Sequence, residues 1–467
     1  DRLLHHMMST PGPKSAIGDL NKDGIQDVII GGSKGFRSEV LLGNQQGQYK
    51  HSKEFNFSED LAAEVTAVAL LDADGDGDLD IYLGNGGIEF SKFSSELADQ
   101  LYLNNGDGIF SPSPNVLPTA SSYFNTSVVS TGDFDQDGDT DLFVGERSIT
   151  AAYGVPVNGH LLRNDGTGIF ADQTAILAPG LNEIGMITDA NFNDIDADGD
   201  LDLVVIGEFM GIEIFLNDQG SFTKKASELQ QEKGWWSALK IADVNQDGFP
   251  DLIVGNHGEN SRFKASKEQP ICLFVQDFDQ NGALDPVMGF TATDGKVYPY
   301  NLRHNLIDQM KGLKKKFPDY NSFKNADLNT IFSEEALNLS TKATAVELKT
   351  SIYINDGNGG FTSIPLPKQV QMSPIFAIET GDFDLDGDID IVLAGNLFRV
   401  KPEVGRYDAS FGTFLENTGN DTIGTPIFKV TPGNKGLKVT GEVRSIQKTN
   451  NTLLFVRNSD AILRYKF

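Results

Sequence analysis

The chain has 467 residues, 39% hydrophobic and 22% charged, an ordinary balance for a folded globular protein. Acidic residues (66) outnumber basic ones (38), and the net charge of −28 opposes binding nucleic acid through its phosphates. A single cysteine, Cys272, excludes an internal disulfide framework, and no run of about 18 apolar residues offers a membrane-spanning helix.

In chain order, the opening "DRLLHHMMSTPGPKSAIGDL" lacks the long apolar core of a signal peptide. It begins without methionine and close to the first motif, which reads as a processed or excised piece of something longer. That motif, D-x-[DN]-x-[DN]-G-x-x-D, is first supplied by Asp19, Asn21, Asp23 and Asp27. It recurs as Asp72, Asp74, Asp76, Asp80; as Asp133, Asp135, Asp137, Asp141; and as Asp194, Asp196, Asp198, Asp202. Three further copies are Asp243, Asn245, Asp247, Asp251; Asp277, Asp279, Asn281, Asp285; and Asp382, Asp384, Asp386, Asp390.

Oxygen side chains at positions 1, 3 and 5 converge when such a segment curls, and glycine at position 6 permits the bend. Aspartate at position 9 closes the shell, and a set of hard oxygen donors without sulfur or imidazole suits calcium. Seven copies outweigh the plainer reading of Asp, Asn and Gly as turn formers, so up to seven calcium sites are expected. An apolar strand follows most copies ("LDIYLG", "TDLFVG", "LDLVVIG", "PDLIVG", "IDIVLAG"), where an EF-hand would have a glutamate and a helix.

A second signature follows most copies: "LYLNNGDGIF", "LLRNDGTGIF", "IFLNDQGSF" and "IYINDGNGGF", each a strand, a glycine turn and a returning Phe. Four antiparallel strands per unit, repeated, make propeller blades. The chain thus resembles the FG-GAP or VCBS repeats of integrin α-subunit propellers and of bacterial surface proteins. Later segments, including "VKPEVGRYDASFG", look similar to the C-terminal propeller of large VCBS-repeat proteins of Bacteroidetes-type bacteria. That resemblance implies an exported, outer-membrane-associated or extracellular protein, in some cases a partner of Sus-type nutrient-uptake systems.

The expected fold is therefore all-β, one seven-bladed propeller over residues 1–467. The step from Asp243 to Asp277 is too short for four strands, and that from Asp277 to Asp382 too long for one blade. Residues 259–350 are accordingly read as an insertion within blade five, carrying an extra calcium loop and a short helical segment (Leu306, Ile307, Met310, Leu313, Phe317). Eight blades is the alternative, if 271–290 begins its own. The last unit (443–467) shows three strands, so residues 1–10 are expected to supply its outer strand or cover its edge, whereas 311–325 should be dispensable.

Calcium and glycine turns fall on one face and the variable loops on the other, where Tyr153, Trp235, Trp236, Phe398 and Tyr407 are candidates to stack on a ligand. Arg147, Arg262, Arg399 and Arg406 are candidates to pair with carboxylates. The plainer reading is blade-edge packing and loop capping. "GGSKG" (31–35) has no following helix and reads as a turn, and no H-E-x-x-H pair exists. The expected function is binding of protein or glycan at the cell surface without catalysis. A calcium-dependent polysaccharide lyase and a purely structural module are the alternatives.

Overall fold

A computed structural model describes residues 2–52, 57, 61–106, 108–114, 116–118, 124–449 and 451–467. The first sheet holds β1–β4 (Ser15–Gly18, Asp27–Ile30, Glu39–Gly43, Tyr49–His51). The second holds β5–β8 (Val65–Leu71, Asp80–Asn85, Gln100–Asn104, Phe110–Pro112), and the third β9–β12 (Thr126–Gly132, Asp141–Glu146, Gly159–Asn164, Phe170–Asp172). A short helix α1 (Thr174–Leu177) leads to β13–β16 (Met186–Asn193, Asp202–Met210, Glu213–Asp218, Ser221–Lys224), with β17 (Gly234–Trp235) also on β14.

Strands β18 and β19 (Ala238–Ala242, Asp251–Gly255) begin a fifth sheet that the chain leaves and later completes. In between it forms β20–β22 (Ile271–Gln276, Asp285–Thr291, Val297–Pro299), five short helices α2–α6 (Arg303–Gln309, Leu313–Lys316, Tyr320–Phe323, Leu328–Ile331, Glu334–Leu339) and β23 (Thr341–Ala345). These four strands make a sheet of their own in the order β22-β21-β20-β23. Strands β24 and β25 (Ser351–Asn355, Phe361–Pro365) then return to β19. The last two sheets are β26–β29 (Ile375–Gly381, Asp390–Gly395, Thr413–Asn420, Pro426–Val430) and β30–β32 (Glu442–Thr449, Thr452–Asn458, Leu463–Lys466).

In the ring, the second strand of a sheet is mostly buried on both faces because a neighbouring sheet covers each side; β6 and β27 are buried throughout. Such strands need apolar residues at consecutive positions, which "DIYLG" and "DIVLAG" supply. Where two sheets approach closely the strand carries glycine: a Cβ on Gly84 in β6 would lie 2.5 Å from Cγ2 of Thr126 in β9. Between sheets, Phe143, Leu161 and Val128 interlock with Ile187, Leu203 and Phe215. Burying each such side chain contributes about 1.5–3 kcal/mol.

The first strands touch in cyclic order, β1 to β5, β9, β13, β18, β26, β30 and back to β1. The molecule is an all-β propeller. Seven sheets share this ring, and the eighth, β20–β23, stands against β14 and β17 through β23. Small hydroxyls tie the ring together at the channel: Ser127 donates to the Ile187 carbonyl at 2.8 Å, Thr188 to that of Trp236 at 2.8 Å, and Ser237 to that of Ile375 at 2.5 Å.

The N-terminal residues do not supply a fourth strand to the last sheet, which pairs only as β30-β31-β32. They cross the channel mouth instead, because Leu3, Leu4 and Met8 find deeper apolar surroundings there. Leu4 and Met8 pack with Tyr153, Phe263 and Tyr407, and Leu3 joins Leu306, Met310 and Phe317 beside the helices. Residues 311–325 likewise contribute the buried Phe317 to that cluster. The helical segment is broken, α2 ending at Gln309 and α3 starting at Leu313.

Candidate functional site

Each aspartate-rich segment turns between two antiparallel strands: β1/β2, β5/β6, β9/β10, β13/β14, β18/β19, β20/β21 and β26/β27. The turn closes on the position-1 carboxylate. Asp19 Oδ1 accepts the Asp23 N–H at 3.1 Å and Oδ2 the Gly24 N–H at 2.8 Å, and the pattern recurs at Asp133, Asp194, Asp243, Asp277 and Asp382. Position 6 carries the left-handed conformation that favours glycine, φ 80° at Gly24 and 99° at Gly387.

The position-9 aspartates are fully buried (Asp27, Asp80, Asp141, Asp202, Asp251, Asp285 and Asp390, each 0% exposed). One oxygen accepts the N–H of position 2, as in Ala73 to Asp80 at 2.8 Å and Ile195 to Asp202 at 2.9 Å. In six loops the other oxygen accepts a backbone N–H from the third strand: Gly43, Asn104, Asn164, Asn217, Asn355 or Asn417, at 2.7–2.9 Å. At Asp285 the Gln309 side chain takes that place at 2.8 Å.

Positions 1, 3 and 9 bring carboxylate oxygens within 4.8 Å of one another in five loops: Asp72/Asp74/Asp80, Asp133/Asp135/Asp141, Asp194/Asp196/Asp202, Asp277/Asp279/Asp285 and Asp382/Asp384/Asp390. In the other two, position 3 is Asn21 or Asn245, whose side-chain oxygen accepts the Asp23 or Asp247 N–H. The position-5 residues Asp76, Asp137, Asp198, Asn281 and Asp386 each accept the N–H of position 7 through one side-chain oxygen, as Asp23 and Asp247 do.

The groups fit a hard cation. Oδ1 of Asp74, Asp135, Asp196 and Asp384 is buried without a hydrogen-bond partner, a costly condition unless something else meets the oxygen. Desolvation, aided by neighbouring carboxylates, pushes Asp27, Asp80, Asp202 and Asp390 up to about 6, and Asp141 and Asp251 up to about 7. A bound cation removes both penalties. Basic side chains already pair with position-3 and position-5 carboxylates in two loops: Arg163 pairs with Asp135 at 2.5 Å and Asp137 at 2.9 Å, and Lys435 with Asp384 at 2.6 Å.

At the opposite end of the channel lies a cavity of about 110 Å³, walled by Arg147, Tyr153, Glu208, Trp235, His257 and Tyr407 and closed in part by residues 5–8. Arg147 donates to Glu208 at 2.8 Å and Tyr153 donates to the same carboxylate at 3.1 Å. Burial opposes the charge on Glu208, but Arg147 and His6 hold its carboxyl below the usual range. Trp235, His257, Phe263 and Tyr407 meet edge to face, with ring centres 4.8–5.6 Å apart. Burial pushes His257 down to about 3, so its ring is neutral.

Four of the candidate ligand residues, Arg147, Tyr153, Trp235 and Tyr407, thus meet at one cavity. Trp236 does not: it is fully buried between sheets, its indole N–H donating to the Met210 carbonyl at 3.0 Å, so it cannot stack on a ligand. Arg262 lies over Tyr300, and Arg406 over Phe398 with 3.6 Å from guanidinium carbon to ring centre. Arg399 is exposed and offers its carbonyl to the Met7 N–H at 2.9 Å. Glu208 and His257 were not anticipated, since neither sits in a motif. The signal available was that Glu208, near the end of β14, and Arg147, just past the end of β10, sit at the same end of the second strand of their repeats.

Glycine in the second signature also has a reason beyond the turn. The turn lies over the preceding sheet's aspartate loop, and a Cβ on Gly220 would come 2.9 Å from that of Asp135.

The FG-GAP-like repeat family matches residues 19–83, 91–144 and 194–254. A stretch of human integrin alpha-6 is 29% identical over 151 residues, which is 30% of this chain and only 13% of that protein. Among solved structures, an Agrocybe aegerita lectin described as recognising non-reducing terminal N-acetylglucosamine is 16% identical, with 91% of this chain and 80% of that one aligned at a TM-score of 0.47. YCF48 bound to D1 peptide is 9% identical, aligned over 99% and 96% at a TM-score of 0.42. Residues 19–83, 91–144 and 194–254 are FG-GAP-like repeats, and the chain that carries them is a β-propeller.

Proposed function

We propose that this chain is a calcium-stabilised binding module that presents a protein- or glycan-recognition face at the cell surface. The observation that carries the reading is the division of the channel's two ends. One end is given over to oxygen-rich loops that lock the sheets, and the other to a walled cavity with aromatic and charged side chains. Function commonly resides in loops held by such a rigid scaffold. The FG-GAP-like repeats and the integrin alpha-6 stretch support a binding role. We take 259–350 to be an insertion within the fifth blade of seven. The resemblance noted above adds an exported bacterial protein working with outer-membrane partners in nutrient uptake. No helix among the described residues is long and apolar enough to cross a membrane.

A glycan array and a surface-protein fraction, each probed with calcium-loaded and chelated protein, test the proposal. Binding that needs calcium and falls at least tenfold on Trp235→Ala or Arg406→Ala supports it. Binding unaffected by chelation and by both substitutions contradicts it.

A further inference from the structure

The aspartate loops are not independent, and the link between them is one repeated side chain. Asn104, at the end of the third strand of the second sheet, is buried. Its backbone N–H donates to Asp80 of its own loop at 2.7 Å, and its side-chain amide donates to the Leu20 carbonyl of the preceding loop at 2.9 Å. Leu20 occupies position 2 there, and its N–H donates to Asp27 at 3.1 Å.

The same construction repeats around the propeller. Asn164 reaches the Ala73 carbonyl at 2.8 Å, Asn217 that of Phe134 at 2.7 Å, Asn355 that of Ile195 at 2.8 Å, and Asn417 that of Val244 at 2.9 Å. Each of those carbonyls belongs to position 2 of the preceding loop, whose N–H donates to that loop's position-9 aspartate. An unbroken hydrogen-bonded line therefore runs Asp27, Asp80, Asp141, Asp202, Asp251, Asp390. A second set of contacts joins neighbouring loops at alternate junctions: Lys22 pairs with Asp78, Gln136 donates to the Gly199 carbonyl at 3.1 Å, and Gln246 to that of Gly387 at 2.8 Å.

The line has two gaps. Gly43 stands where the first sheet would carry the asparagine, and the sheet before it in the ring, β30–β32, has no aspartate loop to reach. The loop Asp277–Asp285 is served by Gln309, and no asparagine joins it to another loop.

We infer that Asn104, Asn164, Asn217, Asn355 and Asn417 are positioning residues that couple cation binding among six loops, leaving the Asp277–Asp285 loop to bind on its own. The inference rests on the calcium reading above. A cation that gathers positions 1, 3 and 9 orders the position-2 peptide on which the next loop's asparagine is seated. Part of the ordering cost of the next loop is then already met, which produces positive cooperativity.

Calorimetric titration of the metal-free full chain with calcium provides the test. The expected result is one cooperative class, with a Hill coefficient above 1, and one separate non-cooperative site. Asn217→Ala, at the middle of the line, is expected to cut the cooperative class into two weaker ones, with affinity in the later-filling class falling at least about 5-fold, the low end of typical coupling. Gln309→Ala is expected to weaken the separate site alone. Hydrogen exchange of the Asp133–Asp141 loop should rise in calcium-loaded Asn217→Ala, although that residue lies outside the loop. If wild type titrates as identical independent sites, the coupling is refuted without recourse to any variant. The same follows if Asn217→Ala folds and keeps the wild-type Hill coefficient. If the protein takes up no calcium at all, it is the underlying reading that fails.

Discussion

On the calcium reading proposed above, the position-9 aspartates do two jobs, and only one of them depends on a cation. Asp141 accepts from Phe134 at 3.2 Å and Asn164 at 2.8 Å inside a site closed to water. Asp141→Asn should therefore destabilise even the chelated protein, by about 1–3 kcal/mol for one orphaned buried donor. Asp137→Asn, at an exposed position, should cost little under the same conditions. Urea unfolding in EDTA distinguishes them, and equal losses would show that the two positions have the same role. A pH effect arises at His160, which stacks on Phe124 with ring centres 3.7 Å apart and lies 3.0 Å from Glu146 and 3.2 Å from Asp172. Burial opposes the imidazolium, yet hydrogen bonds to the two carboxylates raise the ring above its ordinary value. Its contribution is thus complete below about 6.5 and lost as pH rises through the raised value. Burial likewise opposes the Asp172 charge, but its bonds to His160 and Thr174 hold it down to about 2, so its share is lost only as pH falls from about 4 towards that value. The stability gap between wild type and His160→Gln should be wider at pH 6 than at pH 9, and a constant gap in thermal melts would contradict the assignment.

At the scale of the element, the repeated strands and loops were legible because each copy obeys the same spacing, and period-2 burial leaves little freedom of register. The asparagine of the second signature was read only as part of a turn. Its link to the preceding sheet was hidden because the contact spans 84 residues between Asn104 and Leu20. The fate of the N-terminal segment was illegible for a related reason: Leu3, Leu4 and Met8 have no local periodicity, and what they pack on is brought together only by ring closure. Trp235 and Trp236 look alike in sequence, but one ends β17 and lines the cavity, while the next residue, just past the strand, turns into the space between sheets. Leu4→Ala should cost about 2–5 kcal/mol in chemical unfolding, as for other large-to-small changes in packed sites. A loss under about 0.5 kcal/mol, typical of surface positions, would show that the segment is detached in solution.

For the molecule as a whole, the buried position-9 carboxylates set the pH dependence of cation stabilisation. Their folded values, about 6 to 7, lie above the unfolded one, so the metal-free fold loses stability as pH rises through that range. Calcium needs the same groups deprotonated. Its effect on the melting temperature should therefore be larger at pH 8 than at pH 5, with magnesium a poor substitute. A pH-independent gain, or none, in calorimetric melts would contradict the assignment.

The junction between the last and first sheets is built differently from the rest. No strand crosses from one to the other, and the contact includes the Ser15 hydroxyl against that of Ser445 at 2.9 Å and the Gln447 amide on the Ser15 carbonyl at 2.7 Å. Many rings of this kind weave their two ends into one shared sheet, but this one is fastened by a clasp of side chains. Tension applied between residues near 2 and 467 would first peel the N-terminal segment from the channel mouth and then load that clasp. The molecule should yield to pulling at its ends well before it yields to pulling across any other pair of sheets. An optical-trap comparison of the two geometries would measure the difference.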